Sequence, residues 1–168
     1  MKSKEERADI DLLSAALKGI RRDRRMRSSE VARAMGMPLR SYEHFESGRG
    51  RFTFDRLVRF AEVTNSDALA IIAVLALKSP EFALRCADNK LMTIFMIAMS
   101  ELNEELGDDI TFLEPGILIG AFTRVAKDLS EHIAKRDLFA ETWLKERSSK
   151  IQGARPLEDG RLRRRPAD

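Results

Sequence analysis

Apolar positions Ile10, Leu13, Leu17 and Ile20 recur at helical spacing and predict a first helix from about Ile10 to Arg25. A second helix fits Ser28–Met35, with Ser28 as its cap and Glu30 in the first turn, where a carboxylate is favoured. Gly36 reads as the left-handed residue that ends it. Pro38, tolerated in a first turn, opens a third helix that stops at Ser47-Gly48. Thr53 caps a fourth helix through about Thr64, with Phe54, Leu57, Phe60 and Ala61 turned inward, and a fifth covers Asp67–Leu77. Five short helices by residue 78 describe a compact, all-α domain.

Ser79-Pro80-Glu81 joins a capping serine, a first-turn proline and a first-turn acid, a strong helix-start signal. A long helical pattern follows to Leu106, with a candidate break near Asp88. Its segment LMTIFMIAM (Leu91–Met99) is apolar nearly all round, so neighbouring helices or a second chain must flank it. Gly107-Asp108-Asp109 is a turn. Pro115 opens another helix with Leu118, Phe122, Val125, Leu129 and Ile133 along one face. A last helix, roughly Asp137–Ile151, carries Leu138, Phe139, Trp143 and Leu144. The expected organisation is a first domain over 1–78, a helical second domain over 79–151, and a disordered basic tail over 152–168. The sequence holds no internal repeat.

Charge divides along the same line. Residues 1–65 carry 15 Lys/Arg against 10 Asp/Glu, whereas residues 66–150 carry 10 against 14. A basic head on an acidic body points to a polyanion partner for the head alone. Composition agrees with helix: 43% hydrophobic, 34% charged and only 7% aromatic. The single cysteine, Cys86, forms no internal disulfide, and no Cys-based metal site is available to it. The charged N-terminus lacks a signal-peptide core, and the longest apolar runs fall short of the roughly 20 residues that span a bilayer. A soluble, cytoplasmic and nucleoid-associated protein with no membrane partner is expected.

Two short helices joined by a tight Gly-containing turn in a basic context form a helix-turn-helix pattern. The stretch Leu17–Asn65 resembles the phage repressor and Cro type of helix-turn-helix domain, also called the xenobiotic-response-element family. The resemblance rests on Ile20 and Arg21, then SSEVARAMGM (28–37), SYEHFESGRGR (41–51) and TFDRLVRFAEVTN (53–65). It includes the apolar-Ala pair Val31-Ala32, the turn glycine Gly36, and Glu46-Ser47-Gly48 closing the third helix before basic residues. The resemblance implies a lambda-repressor-like five-helix DNA-binding domain, here followed by a helical C-terminal dimerisation domain. It also implies an internal ion pair between Arg21 and Glu46. Three positions depart from the family: Ser28 stands where a phosphate-binding Gln is usual, Arg25 where Gly is common, and Pro38 where a capping Ser or Thr is usual.

Helical geometry then gives a candidate recognition face. Val31, Ala32 and Met35 meet Tyr42 and Phe45 at the seam, and small Ala32 allows close approach. Leu39, Arg40, Glu43 and His44 project from the opposite side of the third helix. Arg40 can bond guanine O6 and N7 together, Glu43 can accept from cytosine N4, and Leu39 can pack on a thymine methyl. His44 suits a phosphate or guanine contact. Arg25, Arg27, Ser28, Arg49 and Arg51 are candidates for the phosphate backbone. Gly48 can adopt positive φ to turn the chain away.

Leu91, Phe95, Ala98, Met99 and Leu102 form a candidate dimerisation band, because small helix-turn-helix domains usually bind pseudo-palindromic sites as pairs. A pocket for a small effector near Met92, Met96 and Met99 is the alternative use of that band. No Ser-His-Asp, Cys-His or phosphate-loop arrangement is visible, so no enzyme activity and no cofactor are expected. The acidic stretch Glu101–Asp109 lacks calcium-loop spacing. The reading is a sequence-specific transcriptional regulator, a repressor in preference to an activator, acting as a homodimer on double-stranded DNA. The alternative is a helix-turn-helix scaffold that serves mainly as a protein-interaction module, antitoxin-like or polymerase-associated.

Overall fold

The computed structural model describes residues 4–152, which are all-helical, without strand. The chain divides into two compact units between Gly107 and Asp108. The first holds α1 (Lys4–Asp23), α2 (Ser28–Ala34), α3 (Leu39–Glu46), α4 (Phe54–Val63), α5 (Ala68–Leu77), α6 (Pro80–Arg85) and α7 (Leu91–Leu106). Helix α1 starts earlier than its apolar spacing indicates. Lys4 to Ala8 are good helix formers without an apolar stripe, and Glu5 and Glu6 sit favourably in the first turn.

Helix α1 packs against α3, α5 and α6, while α2 packs on α3 and α4. Leu13, Leu17 and Ile20 of α1 enter one core with Val31, Ala32, Tyr42, Phe45, Phe60, Ile71 and Val74. Leu57, Phe60 and Ala61 face inward as expected, but Phe54 is 62% exposed because it occupies the first position of α4, beyond the core edge.

The first unit runs past the expected boundary at residue 78. Helix α6 covers α1 and α5 and buries Ala83, and its Leu84 lies against Gly19, where a Cβ would come within 2.8 Å of Leu84 Cδ1. Ser79-Pro80 does start a helix, with Pro80 in its first turn. The Ser79 side chain makes no cap, however; its hydroxyl donates to Glu81, 3.1 Å away.

A 3₁₀ turn that begins at the division (Gly107–Phe112) leads into a single helix of the second unit, α8 (Pro115–Gln152). Two helices were expected there. The segment from His132 to Arg136 offers no Gly or Pro to end the first, and Ala, Lys and Arg favour continuation. No described helix is long and apolar enough to cross a membrane. The tail from residue 153 lies outside the described residues.

Candidate nucleic-acid interface

Backbone chemistry fixes the α2–α3 pair. The Gly36 N–H donates to the Arg33 carbonyl and the Met37 N–H to the Ala32 carbonyl, at 3.1 and 2.9 Å, closing α2 in a Schellman motif. Gly36 takes the left-handed conformation this requires, φ +65°. Pro38 is the residue before α3 rather than its first member; its carbonyl accepts from the Tyr42 N–H at 3.1 Å, and no side chain caps the helix. Gly48 has φ +73° and lies so close to Ile10 of α1 that no Cβ fits.

A buried carboxylate ties α1 to α3. Arg21 donates through Nε to Glu46 Oε1 at 2.6 Å and through Nη2 to Oε2 at 3.1 Å, a two-pronged contact. Its remaining arm donates to the Met26 carbonyl at 3.1 Å, at the entry to α2. The Tyr42 hydroxyl donates to Glu46 Oε1 at 2.9 Å, and the Ser14 hydroxyl to the Glu46 carbonyl at 2.7 Å. The hydrogen bond to Glu46 raises the Arg21 guanidinium above its ordinary pKa. Burial, reinforced by the Glu46 charge, pushes the Tyr42 phenol well above its ordinary value. Val31, Ala32, Met35, Tyr42 and Phe45 are all buried at the α2–α3 seam.

The opposite side of α3 is open. Leu39 is 45% exposed, Arg40 and Glu43 are exposed, and His44 is half-buried. Arg25 and Arg27 are exposed, and Ser28 is half-buried as the first residue of α2, not its cap. The cap position belongs to Arg27, whose N–H donates to Glu30 at 2.6 Å while its Nε lies 3.7 Å from the same carboxylate. The anion-attracting end of α2 thus already holds a carboxylate. Arg49, exposed, donates to the Ser47 hydroxyl at 3.1 Å. Arg49 and the exposed Arg51 line an open cleft of about 480 Å³, which also contains Glu6 and Asp9 of α1.

Arg24, and Asp67 beyond its place at the start of α5, are organising residues that sequence reasoning passed over. Arg24 donates to the Thr64 and Asn65 carbonyls at 3.0 and 3.1 Å and pairs with Asp88 at 2.6 Å. Asp67, 1% exposed, caps α5 through the N–H groups of Leu69 and Ala70. It also accepts from Met92 and Thr93 at the start of α7. The lone polar residue Thr93 in an apolar run was the one available signal.

Helix α7 buries none of its side chains. Of the dimerisation candidates, Leu91 and Phe95 are each 39% exposed, Ala98 is exposed, and Met99 and Leu102 are half-buried. Cys86 is buried, and burial raises its thiol pKa. Comparison of the chain with protein-family models, curated proteins and solved structures returns no match.

Proposed function

We propose that the protein is a sequence-specific DNA-binding transcriptional regulator that acts as a homodimer in the cytoplasm. Its first unit would then be a lambda-repressor-like domain, with α3 as the helix entering the major groove. One observation carries this reading. A short helix is locked from behind by the buried Arg21–Glu46–Tyr42 network and presents Leu39, Arg40 and Glu43 outward. Rigid support behind and unshared polar chemistry in front suit readout of base edges. Arg25, Arg49 and Arg51 supply the flanking cations such a helix needs for phosphates. Arg27 and Ser28 contribute less, because Glu30 occupies the start of α2.

The test is a mobility shift on fragments of the source genome at low and rising salt, with wild type and Arg40→Ala. Specific fragments should shift, affinity should fall steeply with salt, and Arg40→Ala should relax preference at one base position. If no fragment shifts at low salt, the proposal fails. A protein-interaction role is the second reading, favoured by the apolar surface that α7 leaves open. A partner held there would bind with little dependence on salt.

A further inference from the structure

We infer that α8 pairs with α8 of a second copy as an antiparallel coil, an inference that rests on the two-copy reading above. Leu118, Phe122, Val125, Leu129, Phe139 and Trp143 occupy alternating three- and four-residue steps along α8, with His132 and Arg136 completing the series. That is the spacing of a coiled-coil seam. Along this series Val125 is 54%, Leu129 55% and Phe139 71% exposed. From Leu118 to Trp143 it extends about 38 Å at 1.5 Å per residue. Ile117 and Leu138 lie off it.

The polar pair in mid-seam decides the orientation. In a parallel pair each seam residue meets its own copy, so Arg136 would face Arg136 and His132 would face His132 across a desolvated core. Turning one helix round about the midpoint between Ser130 and Glu131 removes that conflict. Leu118 then opposes Trp143 of the other copy, Phe122 opposes Phe139, Val125 opposes Arg136 and Leu129 opposes His132. Every layer but the central ones is apolar on both sides.

The flanking positions agree. Asp128 comes alongside Lys135 and Arg136 of the other copy, twice by symmetry, which gives opposite charges at the one charged edge of the seam. The other edge carries Ile119, Ala126 and Ile133 and widens the apolar contact. Ion pairs from Lys127 and Lys135 to Glu131, at 3.7 and 3.8 Å, fasten successive turns of the same helix. The surface is therefore complementary to itself in both apolar layers and charge, as a two-fold contact requires.

The experiment uses full-length chain carrying Val125→Cys or Arg136→Cys, with sedimentation to give mass and a short bismaleimide to cross-link. Cys86 is buried, and unsubstituted chain serves as the control. Wild type should sediment at twice the chain mass. A mixture of the two variants should cross-link at least tenfold more than either alone, because residue 125 faces 136 only in the antiparallel pair. Leu129→Asp should restore the single-chain mass while retaining helical content and thermal unfolding of the first unit. Cross-linking of each variant with itself would show parallel helices and overturn the inference. A stable dimer with no cross-link overturns the seam and leaves the two-copy reading intact, and a wild-type monomer overturns both. The DNA mobility shift, run on the same samples, reports separately on DNA binding.

Discussion

Asp67 and Thr93, 26 residues apart in sequence, meet through a 2.8 Å hydrogen bond in which the Thr93 hydroxyl donates to the Asp67 carboxylate. The same carboxylate accepts from the N–H groups of Leu69 and Ala70 on one side and Met92 and Thr93 on the other. One buried side chain therefore caps two helices, and this fastens the start of α7 to α5. Asp67→Ala strips both caps and leaves buried donors unsatisfied, so a loss of about 3 kcal/mol is expected. Thr93→Val removes one bond and should cost about 1 kcal/mol. Denaturant unfolding of both variants checks the ratio; equal losses would contradict the double-cap role.

Two left-handed positions, one held by arginine and the other by glycine, give a matched pair of stability tests. Arg25 sits at φ +54° where α1 ends, with its N–H donating to the Arg22 carbonyl and the Met26 N–H to the Arg21 carbonyl. That motif favours glycine, so Arg25→Gly should stabilise the protein by about 0.5–1 kcal/mol. If Arg25 also meets a phosphate, the same change weakens DNA binding. Gly48→Ala should cost about 3 kcal/mol, since strain at φ +73° adds to the collision with Ile10. Thermal unfolding of the two variants should move in opposite directions.

How far the sequence revealed this molecule depended on the range of the interaction. Gly36, Thr53, the left-handed turn at Gly48 and the α2–α3 seam act through near neighbours, and their residue types announce them; the contact of Gly48 with Ile10 is long-range and was not legible. The Arg21–Glu46 pair was available only through family resemblance, because 25 positions separate its members. Asp67 was legible as the start of α5 but not as the cap of α7, whose N–H groups arrive only after the fold closes. Ser28 misled because the cap side chain of α2 is replaced by Glu30 reaching back to the Arg27 N–H. Ser79-Pro80 marked a true helix start, yet a helix start is not a domain boundary, and α6 has its apolar side committed to α1. On α3, exposure could be read from periodicity, but the partner of an exposed face cannot.

Tyr42, the only tyrosine in the sequence, makes alkaline behaviour easy to read. Burial first, then the Glu46 charge, holds its pKa above the ordinary value near 10. The unfolded chain releases this proton near pH 10 while the folded chain keeps it. The contribution is therefore intact below pH 10 and is lost as pH rises above it, at no more than roughly 1.4 kcal/mol per pH unit. Tyrosinate absorbance should appear only with unfolding, and Tyr42→Phe should flatten the fall in stability above pH 10 relative to wild type. A tyrosinate signal at pH 10 from still-folded protein would contradict the buried hydrogen bond to Glu46.

Cys86 should behave as an inert core residue. It is 3% exposed, and burial with the nearby Asp67 charge disfavours its thiolate. An aromatic disulfide reagent should label it at the rate of unfolding, and denaturant should accelerate labelling by orders of magnitude. Labelling of native protein as fast as a free thiol would contradict its place in the core.

On the proposed function, positioning and base reading are separable on α3, because Glu46 faces the core and Arg40 faces solvent. Glu46→Ala leaves the Arg21 guanidinium largely buried without its carboxylate and frees the Tyr42 hydroxyl, for an expected loss of about 3 kcal/mol. Its effect on DNA should scale with the fraction unfolded and the loosening of α3, so it should weaken all sequences together. Arg40→Ala shortens an exposed side chain and should change stability by no more than about 0.5 kcal/mol. On the proposed reading it costs about 1–3 kcal/mol of discrimination at one base position. Stability and binding to a panel of site variants, measured on both proteins, should therefore give two distinct signatures. A Glu46→Ala protein as stable as wild type would remove the Arg21–Glu46 pair from the account of how α3 is held. Uniform weakening by Arg40→Ala would reduce that residue to a phosphate contact.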